Sequence, residues 1–349
     1  MRRVRRLAGR SLAVMAVAAG LTAMTAGGQE VTRTPDGRPD LQGNWSNATA
    51  TPIVRPDGQP LVMSAQAVAR VESGRLAYNE AEAQPSDPDR EAPPVGGDGS
   101  TGAAGGVGGY NNFFIDRGDR IAVFNGEARS SLITFPDHGR RPALTDEARR
   151  RMGERRAFRS QFSQYDNPEN RPLGERCIIS FGSNAGPPML PNYFYNNNYT
   201  IVQTPDQIMI MTEMVHDVRV IRMGDRKPLP EHVRPWMGDS WGHWEGDTLV
   251  VVTTNLHPEQ PFFALSAAQF LPSEEAVVTE RITRPSADVL NYEFTVEDPV
   301  MLTSPIRGEL PYDRLDGELY EYACHEANYA MENVLRGARA QEREEGRER

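Results

Sequence analysis

Residues 198–223 read NYTIVQTPDQIMIMTEMVHDVRVIRM. Two runs rich in β-branched and apolar residues flank Pro205-Asp206-Gln207, which is turn chemistry, so the stretch predicts a hairpin. The same grammar recurs twice. Residues 242–256 give GHW, the turn EGD, then TLVVVTTNL, and residues 276–302 give AVVTERIT, the turn RPSAD, then VLNYEFTVEDPVML. Successive hairpins predict an antiparallel meander. A meander this long curls and closes, because open edges leave unpaired backbone groups. The fold class expected is mainly β: a meander closing into a lipocalin-like barrel, with short N-terminal helices and a C-terminal helix.

Working outward, residues 31–62 contain TPDGRPDLQGNW, a turn-rich lead into a short strand ending at Trp45. Residues 63–83 read as a helix capped by Ser64. Residues 84–109, QPSDPDREAPPVGGDGSTGAAGGVGG, are rich in Gly and Pro and carry little to bury, which predicts a mobile loop. The glycines of this loop match no phosphate-binding pattern. Residues 113–135 suggest strands broken by Asp/Gly turns, and a short basic helix follows Leu144 with Thr145 as its cap. A last helix is expected to begin around His325 to Ala327, with a stripe of Ala327, Met331, Val334 or Leu335, and Ala338. The division expected is a signal peptide (1–27), an extension (28–112), a barrel domain with its C-terminal helix (113–342) and a charged tail (343–349).

The N-terminus has the layout of a secretory signal. A basic stretch, MRRVRRLAGR, precedes the apolar SLAVMAVAAGLTAMTA, and small residues place cleavage near Ala26 or Gly27. The apolar run falls short of the about 20 residues of a membrane span, so a periplasmic or secreted chain without a transmembrane anchor is expected. Cleavage removes Arg2, Arg3, Arg5, Arg6 and Arg10, taking the net charge from −10 to −15 (−10 − 5). An acidic chain repels phosphate backbones, which argues against nucleic acid as a partner. Cys177 and Cys324 are the two cysteines, and in an oxidising compartment they point to a disulfide.

Chemistry could be carried in several places. Gly238-Asp239-Ser240-Trp241-Gly242 matches G-x-S-x-G, but a Pro-containing loop precedes it and a hairpin follows, the wrong setting for a nucleophile elbow. In EMVHDVR, period 2 places Glu213, Asp217 and Arg219 on one strand face, with His216 on the other among Ile210, Met214, Val218 and Val220. Two carboxylates beside an arginine could separate their pKa values into an acid and a base; a solvated strand face with an ordinary ion pair is the plainer alternative. Tyr292 shares a face with Leu290, Phe294 and Val296, so its hydroxyl is expected in the interior. Trp236, Trp241 and Trp244 could stack on sugar or aromatic rings, or simply pack. Glu245-Gly246-Asp247 is turn chemistry.

EYACHEANYAM, residues 321–331, places Glu321, Ala323 and His325 on one strand face and Tyr322 and Cys324 on the other. His325 then falls at a strand-to-helix junction as a general base or ligand. The expected catalytic residues are Glu213, His216, Asp217, His325 and Tyr292; the expected substrate contacts are Arg219, Trp236, Trp241, Trp244 and Tyr322. No cofactor is expected, although His216, His243 and His325 with Glu213 or Asp217 could gather a divalent metal.

Gly43-Asn44-Trp45, followed by a meander and a terminal helix, resembles the lipocalin or calycin-like barrels. PDLQGNW, EMVHDVR, GHWEGDTLVVVTTN, NYEFTVEDP and EYACHEANYAM together resemble an uncharacterised family of secreted bacterial proteins. That second resemblance implies export and no particular activity. Two functions stay open. One is a periplasmic β-barrel hydrolase or lyase using acid–base chemistry on a small polar, sugar-derived or aromatic compound. The other is a non-catalytic lipocalin-like ligand-binding or envelope protein.

Overall fold

Alternating burial along the strands builds the molecule around a filled interior. The computed structural model describes residues 31–83, 89, 91, 115–180, 186–192, 196–261 and 271–346. The expected signal peptide, nearly all of the Gly/Pro-rich stretch and the last three residues of the tail lie outside them. In chain order the strands are β1 Gly43–Ser46, β2 Val123–Phe124, β3 Glu127–Ala128, β4 Ile133–Phe135, β5 Asn198–Gln203 and β6 Gln207–Thr212. They continue as β7 Val218–Met223, β8 Asp239–Glu245, β9 Thr248–Thr254, β10 Val277–Thr283, β11 Val289–Glu297 and β12 Ile306–Arg314. Three α-helices accompany them: α1 Ala65–Glu82, α2 Asp146–Arg159 and α3 Tyr329–Glu344.

Strands β5 to β12 pair in sequence order, and β1 bridges β5 and β12, closing a barrel of nine strands. The short β4 lies against the other end of β12's outer edge, at Arg307 and Gly308, while β1 takes Asp313 and Arg314. The three expected hairpins are present, and Gly246, at φ 60°, supplies the tight β8–β9 turn opposite the Glu245–Thr248 pair. Ser64 and Thr145 cap α1 and α2 as expected, each side chain accepting a backbone N–H three residues on.

One pairing departs from the antiparallel expectation. β7 and β8 run parallel, with Ile221 opposite Ser240 and Met223 opposite Gly242. The reason is parity: a ring of nine strands cannot alternate direction all the way round. The Pro-containing segment 224–238 carries the chain back along the barrel and supplies the like-directed pair. A second correction concerns β12, which the sequence reading did not assign. Pro305, Gly308 and Pro311 obscure its pattern. Pro311 sits in the interval of the outer edge that neither β4 nor β1 covers.

Residues 320–323 have no regular structure and 324–327 bend and turn, rather than ending a strand, and α3 begins at Tyr329, past the expected start. Ala327 therefore lies outside the helix, while Met331, Leu335 and Ala338 make a half-buried stripe and Val334 stays exposed. The expected extension is not separate from the barrel either, because β1 is one of its staves. Trp45 on β1 is fully buried, donates from Nε1 to the Leu41 carbonyl at 3.0 Å and is flanked by the guanidinium groups of Arg284 and Arg314.

The interior is packed with side chains. β10 contributes Val278, Glu280 and Ile282, β11 contributes Leu290, Tyr292, Phe294 and Val296, and β12 contributes Ile306, Leu310 and Tyr312. These side chains fill the barrel interior.

Candidate active site

The residues singled out from sequence fall into two networks. The first lies inside the barrel. Arg219 donates from both terminal nitrogens to Glu280, at 2.5 and 2.8 Å, and both side chains are buried. Tyr292 donates to Glu280 Oε1 at 2.7 Å and accepts the Met189 N–H at 2.9 Å, while Tyr312 donates to the Met189 carbonyl. Burial pushes the phenols of Tyr292 and Tyr312 well above their ordinary range, so both stay neutral donors. Burial pulls Arg219 down, but Glu280 more than offsets it, and the guanidinium remains charged. This network braces the strands and has no exposed member. Tyr292 therefore belongs to it and not to the histidine cluster described next.

The second network sits in the loop between β6 and β7. The sequence suggested one unbroken strand through Glu213 and Asp217; instead a 3-10 turn at Met214–His216 ends β6. The shared face of Glu213, Asp217 and Arg219 is thereby lost. Val215 and His216 both have positive φ, 61° and 46°. Left-handed backbone is costly for a β-branched residue and persists only where neighbours enforce it. Here Met214 and Val215 are buried, Thr212 N–H donates to the Asp217 carbonyl, and Glu213 is clamped at both oxygens. Asn198 donates to Glu213 Oε2 at 2.7 Å and the Tyr320 N–H to Oε1 at 2.8 Å. Glu213 is thus a structural anchor that holds residues 213 and 320 together.

That anchor, with the disulfide, brings His325 opposite His216. Cys177 and Cys324 are bonded, with Cα atoms 5.8 Å apart. Asn328 reinforces the junction by donating to the Glu175 carbonyl at 3.1 Å. The rings of His216 and His325 lie with centroids 6.3 Å apart and planes tilted by 35°, and both residues are exposed. Asp217 is half-buried and accepts the Ser180 N–H at 3.0 Å; desolvation pushes its carboxyl up to about 6, against the pull of Ser180 and His216. Among the described non-glycine, non-asparagine residues with positive φ, Cys177, Val215, His216 and Ala327 all belong to these loops; only Met237 lies elsewhere. Strain is concentrated where the two histidines meet.

The other expected contacts scatter. Trp241 is buried under the Arg222 guanidinium and Trp244 is half-buried near Arg38. Trp236 stacks on His257, centroids 3.7 Å apart, in the wall of a cleft beside α2. Tyr322 is half-buried next to the disulfide. His243 projects from β8 toward Glu245 at 3.4 Å, separate from the histidine pair. Among the described residues, no group of three His, Cys, Asp or Glu side chains is placed to hold a metal ion. Ser240 lies buried within β8 with its hydroxyl on Thr253, which removes it as a nucleophile at an elbow. Sequence reading passed over His257 and the arginines that share its cleft, although the run RRRMGERRAFR, residues 149–159, stood out on an acidic chain.

No family profile, curated protein or solved structure matches this chain. No described helix is long and apolar enough to cross a membrane.

Proposed function

We propose that this protein is an exported acid–base enzyme, a hydrolase or lyase acting on a small polar substrate held between His216 and His325. The observation that carries this reading is the pair of exposed imidazoles, from chain positions 109 apart, with ring centres 6.3 Å apart. Rings this close can both be reached, each at a nitrogen in its own plane, by one small substrate spanning the pair. One imidazole takes a proton from the substrate or an attacking water while the other delivers one to the leaving group. Asp217 follows His216 directly, and desolvation pushes its carboxyl up to about 6. Export is supported by the bonded cysteines, which suit an oxidising compartment.

The test is turnover by the purified full chain on a panel of 4-nitrophenyl esters, 4-nitrophenyl glycosides and unsaturation-forming uronates. The expected result is activity with a bell-shaped pH profile that falls at least about 100-fold in both His216→Asn and His325→Asn. Activity that survives both substitutions, or no turnover across the panel, removes the proposal.

A further inference from the structure

A cleft of about 1180 Å³ lies beside α2, walled on the far side by residues 169–178. Six arginines line it: Arg151, Arg155, Arg156, Arg159, Arg171 and Arg176. Only two carboxylates, Glu169 and Glu259, line it with them, a local balance of +4 (6 − 2) on a chain whose net charge is −10. Some of this charge is structural. Arg151 is held by Glu147 and Glu274, Arg155 bidentately by Glu259, and Arg171 by Glu175. Arg159 has only a long 3.6 Å contact to the Glu259 oxygen that Arg155 already holds. Among the described residues, Arg156 and Arg176 make no ion pair. Helix C-termini favour cations, which accounts for Arg156 and Arg159 in the last turn of α2. It does not account for Arg176, on a different segment facing the same space. Like charges converging across a cleft raise its potential and cost stability unless an anion fills it.

An aromatic wall completes the cleft. Trp236 and His257 stack at 3.7 Å, and desolvation lowers the His257 pKa despite Glu259 nearby. His257 Nδ1 accepts the Glu259 N–H at 3.1 Å, so the neutral ring carries its proton on Nε2 as a donor. The volume exceeds that of a typical site for a single small molecule, roughly 300–1,000 Å³. Guanidinium forks match carboxylates, and indole faces match rings. The chain's overall negative charge disfavours a long phosphate polymer.

We propose that this cleft binds an acidic oligosaccharide, its carboxylates taken by Arg156, Arg159 and Arg176 and one ring laid against the Trp236–His257 wall. Binding here involves no turnover, so it stands or falls separately from the histidine pair. The test is isothermal titration of the full chain with trigalacturonate, maltotriose, triglutamate and inorganic phosphate. The expected result is binding of trigalacturonate alone, weakened at least about 10-fold between 20 and 300 mM salt. Arg156→Gln with Arg176→Gln should weaken it by about 100-fold while the circular dichroism spectrum is kept, since neither arginine supports a neighbour. Equal binding of triglutamate overturns the ring requirement, and binding of phosphate alone overturns the ligand class. No binding of trigalacturonate, or a salt-independent affinity, overturns the proposal whatever the double variant does.

Discussion

Glu280→Gln tests the interior network most directly. Glu280 is fully buried and receives two hydrogen bonds from Arg219 and one from Tyr292. The amide leaves the guanidinium charged in an apolar interior, a loss of about 3–5 kcal/mol. Arg219→Met does the same in reverse, stranding a buried carboxylate. Arg219 Nε already lacks a partner among the described residues, so the pair is incompletely satisfied. Replacing both members, Arg219→Met with Glu280→Leu, should therefore cost less than either single change. What remains is the Tyr292 hydroxyl without its acceptor, about 1–2 kcal/mol. Urea unfolding followed by far-UV circular dichroism measures all three variants, with coupling taken from the cycle. If the double variant loses the sum of the two single losses, the pair is not a coupled buried unit and the reasoning fails.

Other outcomes follow from the same structure. Asp217 keeps its proton to about pH 6 when folded against 3.8 unfolded, so the folded state binds more protons between these values. Stability should fall as pH rises through that window by about 1–2 kcal/mol, discounted for partial exposure, and Asp217→Asn should flatten the curve in melts from pH 4 to 8. A Cβ at Gly308 would stand 2.3 Å from Phe294 Cζ and 2.7 Å from the Leu132 carbonyl, so Gly308→Ala should lower the urea midpoint by an amount equivalent to about 2–3 kcal/mol. Breaking the disulfide frees a loop of 147 residues, worth about 5 kcal/mol at most in the chain-entropy picture. Cys177→Ser with Cys324→Ser should therefore lower Tm and also separate His325 from His216; unchanged histidine ring shifts by NMR would contradict the second part.

Much of the barrel was legible because β5, β6, β9, β10 and β11 are rich in β-branched and apolar residues and their hairpins turn at Pro, Gly and Asp. The helix caps were legible because Ser64 and Thr145 are N-cap residue types standing just before runs of helix-forming residues. The break at residues 213–217 was not: its left-handed positions are a valine and a histidine, neither a turn residue, and only tertiary packing holds them there. β12 was hidden by its own prolines, and the parallel pair by a parity that appears only on closure. Four of the five suggested catalytic residues do sit in or beside one loop cluster, but their meeting depends on an anchor at Glu213 and a disulfide that spacing alone cannot show. Tyr292 was correctly turned inward, where it serves the Arg219–Glu280 pair. The arginine cleft escaped notice because its members come from α2, residues 169–178 and the loop after β9, each unremarkable alone.

β1 is only four residues long, yet Trp45 pairs with Tyr199 and with Arg314, 154 and 269 positions later in the chain. During synthesis it emerges early, finds its first partner only when β5 is made and its second only near the end of the chain. The ring therefore cannot close on a nascent chain, and a truncation just before β12 leaves β1 paired with β5 alone. Contacts of such long range make for slow folding. A chain that cannot finish its barrel until its last strand arrives is exposed to edge-to-edge association in the interval before it closes.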